Sequence, residues 1–289
     1  MEFLCAQPDV EIPLVVSYEL PLDKTYGYAS VSGFCQENGL KVLLPKRISD
    51  GLIKSIAEIQ PDYIFSIYYR KILPKSIIKS ATQFCINIHP SLLPEYRGPI
   101  PTYWAIKNGE KECGITIHKI DEGIDTGDIF CQKRFDIGDD ETGFELYSRA
   151  MQIGSQLFKK EFHKIVNEKA KFIKQTGIGS YYGKSNGLHS IDWKNRSIDI
   201  RNMIRVHAKP YNPTQAVLLN RYFLINKARV LMDARYPAQG PGRIVDFTSD
   251  GNPIVSCADG CLILEEFEVA PSLTETERQI YLKIGNKFD

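Results

Sequence analysis

Hydrophobic and polar positions change their rhythm twice along this chain. Residues 84–88 read Phe, Cys, Ile, Asn, Ile, and with a strand period of two, Asn87 and His89 project to one side. Pro90 and Pro94 stop that strand, which leaves His89 at its C-terminal end. Short apolar runs predict further strands over 12–18, 41–44, 62–67 and 114–120. Helical spacing predicts helices over 29–38, stopped by Gly39, over 52–59, with Leu52, Ile56 and Ile59 inward, and over 101–108, stopped by Gly109. Residues 1–7 read as the back half of a helix. Over 142–169, Leu146, Ala150, Ile153, Leu157 and Phe158 recur at mostly three- and four-residue steps, the mark of a long half-buried helix. Its lysine-rich end, diluted by Glu161 and Glu168, reads as a solvated face.

Past a Gly/Ser-rich connector at 177–187 the period changes again. A helix is expected over 197–207, then strands within 215–231, 242–247, 254–257 and 261–267. Their spacing suggests a small open barrel. The tail after Glu268 is polar and suggests nothing. The whole reads as an α/β domain with a mostly parallel sheet over 1–190, followed by a linker helix and a small β-rich, OB-like domain over 191–289.

Composition narrows the function classes. The 36 basic and 35 acidic residues balance, so no global field favours nucleic acid or an anionic membrane. Seven cysteines are scattered without metal-type spacing, and Cys257 and Cys261 lack a second pair. No apolar run reaches membrane-spanning length, and no secretory signal opens the chain. The expectation is a soluble, cytoplasmic protein without a metal. Asp121, Glu122 and Asp128 around Asp125 read as loop solvation rather than a cation site.

An amide, an imidazole and a carboxylate at strand ends suit acyl transfer. The amide can donate to an oxyanion, the imidazole can move a proton, and the carboxylate can orient the imidazole. Asn87 and His89 are followed by Ser91, Leu92, Leu93, Pro94, Tyr96, Arg97 and Gly98, and then by Asp125, Thr126 and Gly127. In this order and spacing they resemble the 10-formyltetrahydrofolate-dependent formyltransferases. Residues 64–70 look most like the branch that formylates sugar nucleotides, such as UDP-4-amino-4-deoxy-L-arabinose formyltransferase. Pro99 stands where the arabinose branch has Arg, which argues against arabinose in particular.

The resemblance implies a Rossmann-like formyltransferase fold and a catalytic set of Asn87, His89 and Asp125. It places Lys71, Ile72, Leu73, Asp121, Glu122, Gly123 and Ile124 around the folate. Arg70, Tyr181, Lys184 and Arg205 are candidates for the acceptor side, with Lys209 beside them, and each is as well explained by solubility. His118 and Trp104 read as structural. The implied partners are a small-molecule nucleotide sugar and folate, with no nucleic acid and no membrane; a homodimer is the candidate assembly. Rival readings are methionyl-tRNA formyltransferase, 10-formyltetrahydrofolate hydrolase, and a truncated, non-catalytic folate-binding paralogue. The last is motivated by the start of the chain, where the first strand that relatives place centrally is missing. A late start codon is the favoured account, and the 289-residue form is then expected to be poorly soluble or inactive. Against a tRNA partner stands the loop at 20–26, in which only Lys24 is basic.

Overall fold

The computed structural model describes residues 1–18, 29–167, 170–185, 189–231 and 240–289. The loop at 20–26, the last two positions of the 142–169 helix and the end of the 177–187 connector lie outside them. The described chain forms two compact units. One comprises residues 1–98, 114–134 and 151–181, the other residues 99–113, 135–150 and 182–289.

In the first unit, β1 (Val15–Val16) pairs in parallel with β2 (Val42–Leu43). A second sheet has the order β3 (Tyr63–Ile67), β4 (Phe84–His89), β5 (Glu112–Lys119), β6 (Ile129–Asp136). β3 and β4 run parallel, with Ser66 opposite Asn87. β4 and β5 run antiparallel, with Asn87 opposite His118 and His89 opposite Thr116. The direction therefore reverses at the strand that carries Asn87 and His89. The run expected over 12–18 contracts to two residues, and among the described residues β1 pairs with β2 alone and β3 with β4 alone. Tyr18 Oη donates to the Tyr68 carbonyl at 3.1 Å, which ties the end of β1 to the end of β3.

Two helices of this unit begin at serine caps. Ser30 accepts from Gly33 N at the start of α2 (Val31–Glu37), and Ser49 from Leu52 N at the start of α3 (Asp50–Ile59). The short α1 (Glu2–Cys5) brings Phe3 edge-on to Phe162, 5.4 Å between ring centres. Phe158 and Phe162 lie on α4 (Gly143–Val166), and Phe158 meets Phe65 of β3 at 5.2 Å. Each such ring removed from water stabilises by about 1.5–3 kcal/mol, so the sheet is held from one side by an aromatic layer.

The second unit is built on a five-stranded antiparallel sheet. Its order is β7 (Thr214–Leu218), β8 (Arg221–Leu231), β11 (Cys261–Ala270), β10 (Pro253–Ser256), β9 (Ile244–Phe247). The tail, which suggests nothing as sequence, is bound to this sheet. Ile244 N donates to Asn286 O, Phe288 N to Gly242 O and Asp289 N to Val217 O, so residues 286–289 bridge the two edge strands. Phe288 is 1% exposed and packs on Trp193 and Phe223, at 5.2 and 5.1 Å between ring centres. The same stretch holds a further helix, Glu275–Tyr281, opened by a Thr274/Glu277 capping box.

Candidate active site

Register alone assembles the polar cluster. Directly opposed residues on antiparallel strands share a face about 5 Å apart, so Asn87 and His118 must meet. Asn87 Nδ2 stands 3.2 Å from His118 Nε2 and 3.4 Å from Asp125 Oδ1. The other nitrogen of His118, Nδ1, is 2.7 Å from the Lys119 carbonyl. A carbonyl only accepts, so Nδ1 carries the hydrogen, and Nε2 of the neutral ring accepts from Asn87. Burial is the main cause that pushes His118 down to about 4, with His89 adding to it and Asp125 opposing. The ring is therefore neutral at physiological pH. His118 is expected from the sequence to be structural, and its ring lies in contact with both Asn87 and Asp125.

His89 is 4% exposed. Its Nε2 lies 2.8 Å from the Tyr96 carbonyl, which fixes the hydrogen there and leaves Nδ1 turned toward Asp125 Oδ2, at 3.6 Å. Asp125 itself has φ +53°, a left-handed conformation that costs a non-glycine residue about 1–3 kcal/mol. Several bonds hold it there. Gly98 N donates to Oδ2 at 2.9 Å, and Gln175 Nε2 donates to the carbonyls of Asp125 and Gly127, each at 2.8 Å. Gly127 is needed at its place, because a Cβ would stand 2.0 Å from the Lys119 carbonyl oxygen. Asp121 Oδ1 accepts from Gly123 N at 3.1 Å and Thr126 Oγ1 at 2.7 Å, which closes the loop on itself.

The remaining residues singled out from the sequence separate into groups. Lys71 Nζ donates to the Pro45 carbonyl. Ile72 is 74% and Ile124 40% exposed, and the segments that carry them are linked by the Lys75–Glu122 ion pair. Leu73 is half-buried and Gly123 exposed. Arg70 stacks over the Tyr18 ring at 5.4 Å, and Tyr181 forms a bridge with Arg97. In the other unit Lys184 is exposed, whereas Arg205 is buried. Its Nη1 donates to the carbonyls of Gly138, Asp139 and Glu141 at 3.1–3.2 Å, which commits that guanidinium to a loop. Lys209 pairs with Glu268. Trp104, also expected to be structural, is half-buried and stacks on Tyr182 at 5.0 Å, with Lys107 over its face at 4.8 Å.

Nothing local in the sequence marks Gln175, whose side chain bonds to residues some fifty positions away. Among the described residues no three His, Cys, Asp or Glu are grouped to hold a metal, and no helix is long and apolar enough to cross a membrane.

Comparison with known proteins gives this cluster its context. The Formyl transferase family model matches residues 32–161, and that of the Formyl transferase C-terminal domain matches residues 185–276. A methionyl-tRNA formyltransferase from Mycoplasma capricolum subsp. capricolum is 31% identical over 304 residues, covering 100% of this chain and 94% of that protein. One from Clostridium novyi is 32% identical over 270 residues, covering 92% and 85%. Among solved structures, WlaRD, a sugar 3N-formyl transferase in the presence of dTDP and 5-N-formyl-THF, superposes with TM-score 0.66. It is 28% identical, and the match covers 90% of this chain and 88% of that one. An N-formyltransferase from Helicobacter canadensis, in complex with folinic acid and dTDP-3-aminofucose, gives TM-score 0.68 at 25% identity and 89% and 100% coverage. HypX from Aquifex aeolicus shares the fold at 18% identity, TM-score 0.60, with 93% of this chain and 47% of that one covered. With both family models matched in order and relatives above 30% identity along nearly their whole length, this chain belongs to the formyl transferase family and is a formyltransferase.

Proposed function

We propose that this enzyme moves a formyl group from 10-formyltetrahydrofolate to the primary amine of a nucleotide-linked amino sugar, using Asn87, His89 and Asp125. The observation that carries the chemistry is the cluster itself: an amide, two imidazoles and a carboxylate within hydrogen-bonding or ion-pairing reach at the end of β4. The attacking amine must be neutral. As its nitrogen bonds to the formyl carbon, its excess proton passes to His89, where Nδ1 is the nitrogen that Nε2's bond to Tyr96 leaves available. The imidazolium formed has Asp125 as counter-ion. An Asn87 N–H, held in place by neutral His118, supplies the oxyanion donor once its long contact to Asp125 gives way. His89 then delivers a proton to the folate nitrogen as the carbon–nitrogen bond to it breaks.

The exposed apolar side chains of Ile72 and Ile124, on segments tied by Lys75 and Glu122, fit a flat heteroaromatic ring read by the main chain. Lys71, Leu73, Asp121 and Gly123 belong to the same proposed folate site. Catalysis is assigned to the region before residue 190, and the β-rich region after it to support.

The balanced charge supports a nucleotide sugar as acceptor, as does the likeness along most of the chain to enzymes solved with dTDP or a dTDP-sugar. The relatives named for methionyl-tRNA, 31–32% identical, favour a second reading in which the amine is that of methionyl-tRNA. The test is formyl transfer from 10-formyltetrahydrofolate to a panel of amino-sugar nucleotides and to methionyl-tRNA, with His89→Ala and Asn87→Ala alongside. Losing an oxyanion donor costs ~10²–10³ in rate, so Asn87→Ala should fall in or above that band. Wild-type turnover by His89→Ala would end the mechanism, and product on tRNA alone would replace the acceptor.

A further inference from the structure

Residues 173–181 form a strap that touches both halves of the polar cluster. On one side Arg97 N donates to Ser180 O at 2.9 Å and Tyr96 N to Ser180 Oγ at 2.8 Å. That grips the loop whose Tyr96 carbonyl receives His89. On the other side Gln175 Nε2 spends both its hydrogens on the carbonyls of Asp125 and Gly127. The Gln175 Oε1 is in turn clamped by two nitrogens of Arg97, Nε at 3.1 Å and Nη2 at 2.6 Å. The amide cannot flip, because a flipped amide would set its oxygen against two carbonyls and its NH₂ against a guanidinium. Its orientation is therefore fixed, and so is the main chain around a residue held in the left-handed region.

The geometry points to Gln175 as a positioning residue for formyl transfer: its amide holds the main chain on both sides of Asp125 and so sets that carboxylate against His89. The inference rests on the reading that His89 and Asp125 carry the reaction. Gln175 touches neither side chain, so its effect runs through the placement of Asp125. A displacement of about 1 Å at a reacting group can cost ~10²-fold in rate.

The experiment uses the full chain with Gln175→Met, which keeps the length and loses the donors, and Gln175→Glu, which keeps Arg97's acceptor and loses the donors. Each is measured for kcat, KM of both substrates and thermal midpoint, alone and in an Asp125→Ala background. Both variants should lose about 10–100-fold in kcat with KM little changed. In the Asp125→Ala background the Gln175 change should cost nothing further. Wild-type kcat in either folded variant would overturn the inference. So would a full additional loss in the Asp125→Ala background, or failure of both variants to fold, which would make the residue purely structural. An unimpaired Asp125→Ala or His89→Ala enzyme would instead overturn the reading of the site beneath it.

Discussion

A buried imidazole packed against a second, half-buried one marks the β-rich unit. His207 is 6% exposed, its Nε2 lies 3.3 Å from Tyr103 Oη, and the His189 ring sits 3.7 Å away. Burial first, then the neighbouring His189 and Lys107, push it down to about 4 from 6.5. An unfolded chain binds a proton through that interval and the folded one refuses it. Stability is thus fully present above about pH 6.5 and is lost as pH falls through 4, on the order of 3 kcal/mol from this residue. Urea unfolding at pH 7.5 and pH 5 should show a lower midpoint at pH 5, and His207→Gln should shrink the difference. An unchanged gap in that variant would place the sensitivity elsewhere. At this scale the sequence exposed Asn87, His89 and Asp125 through their motif. It hid His118, because only the antiparallel register of β4 and β5 sets it opposite Asn87.

Elements were legible wherever a local pattern sufficed. The stops Gly39 and Gly109 and the apolar stripe of α4 fall where the sequence suggests, while the helices expected from 29 and 52 start at Val31 and Asp50, after the caps Ser30 and Ser49. β6 was missed because its burial is mixed and shows no clean alternation. The tail was missed because one phenylalanine among polar residues carries no period, although Phe288 is buried where it meets Trp193 and Phe223. Phe288→Ala should cost about 3–5 kcal/mol, as for a large core truncation, and the β-rich unit should lose stability first. Calorimetry reads this directly: an unchanged melting profile would mean the edge strands hold without the plug.

At the scale of the whole molecule, the sequence settled the class of chemistry through ordered motifs and left the acceptor open, since identity near 30% spans both kinds of amine. Charge offers a discriminating measurement. With 36 basic and 35 acidic residues there is no excess of cations to displace counterions from a polynucleotide. Binding of a nucleotide sugar should weaken only modestly as salt rises, as for one diphosphate. A protein that neutralises 6–10 phosphates would lose ~10³–10⁵ in affinity between 50 and 200 mM salt. A steep slope with tRNA would move the assignment to methionyl-tRNA.

The strap that ties the Tyr96 and Asp125 loops together also sets how the site can come apart. The amides of Tyr96 and Arg97 are tied to Ser180, and that of Ser180 to Pro94. They can only open when the strap lifts, so they form one cooperative unit. Hydrogen exchange should give these amides a shared opening free energy, below that of the core strands. The strap's middle is also its weak point, with Ile178 96% exposed. A single protease cut there would slacken both loops at once, and the enzyme would lose its chemistry while most of its structure stayed folded.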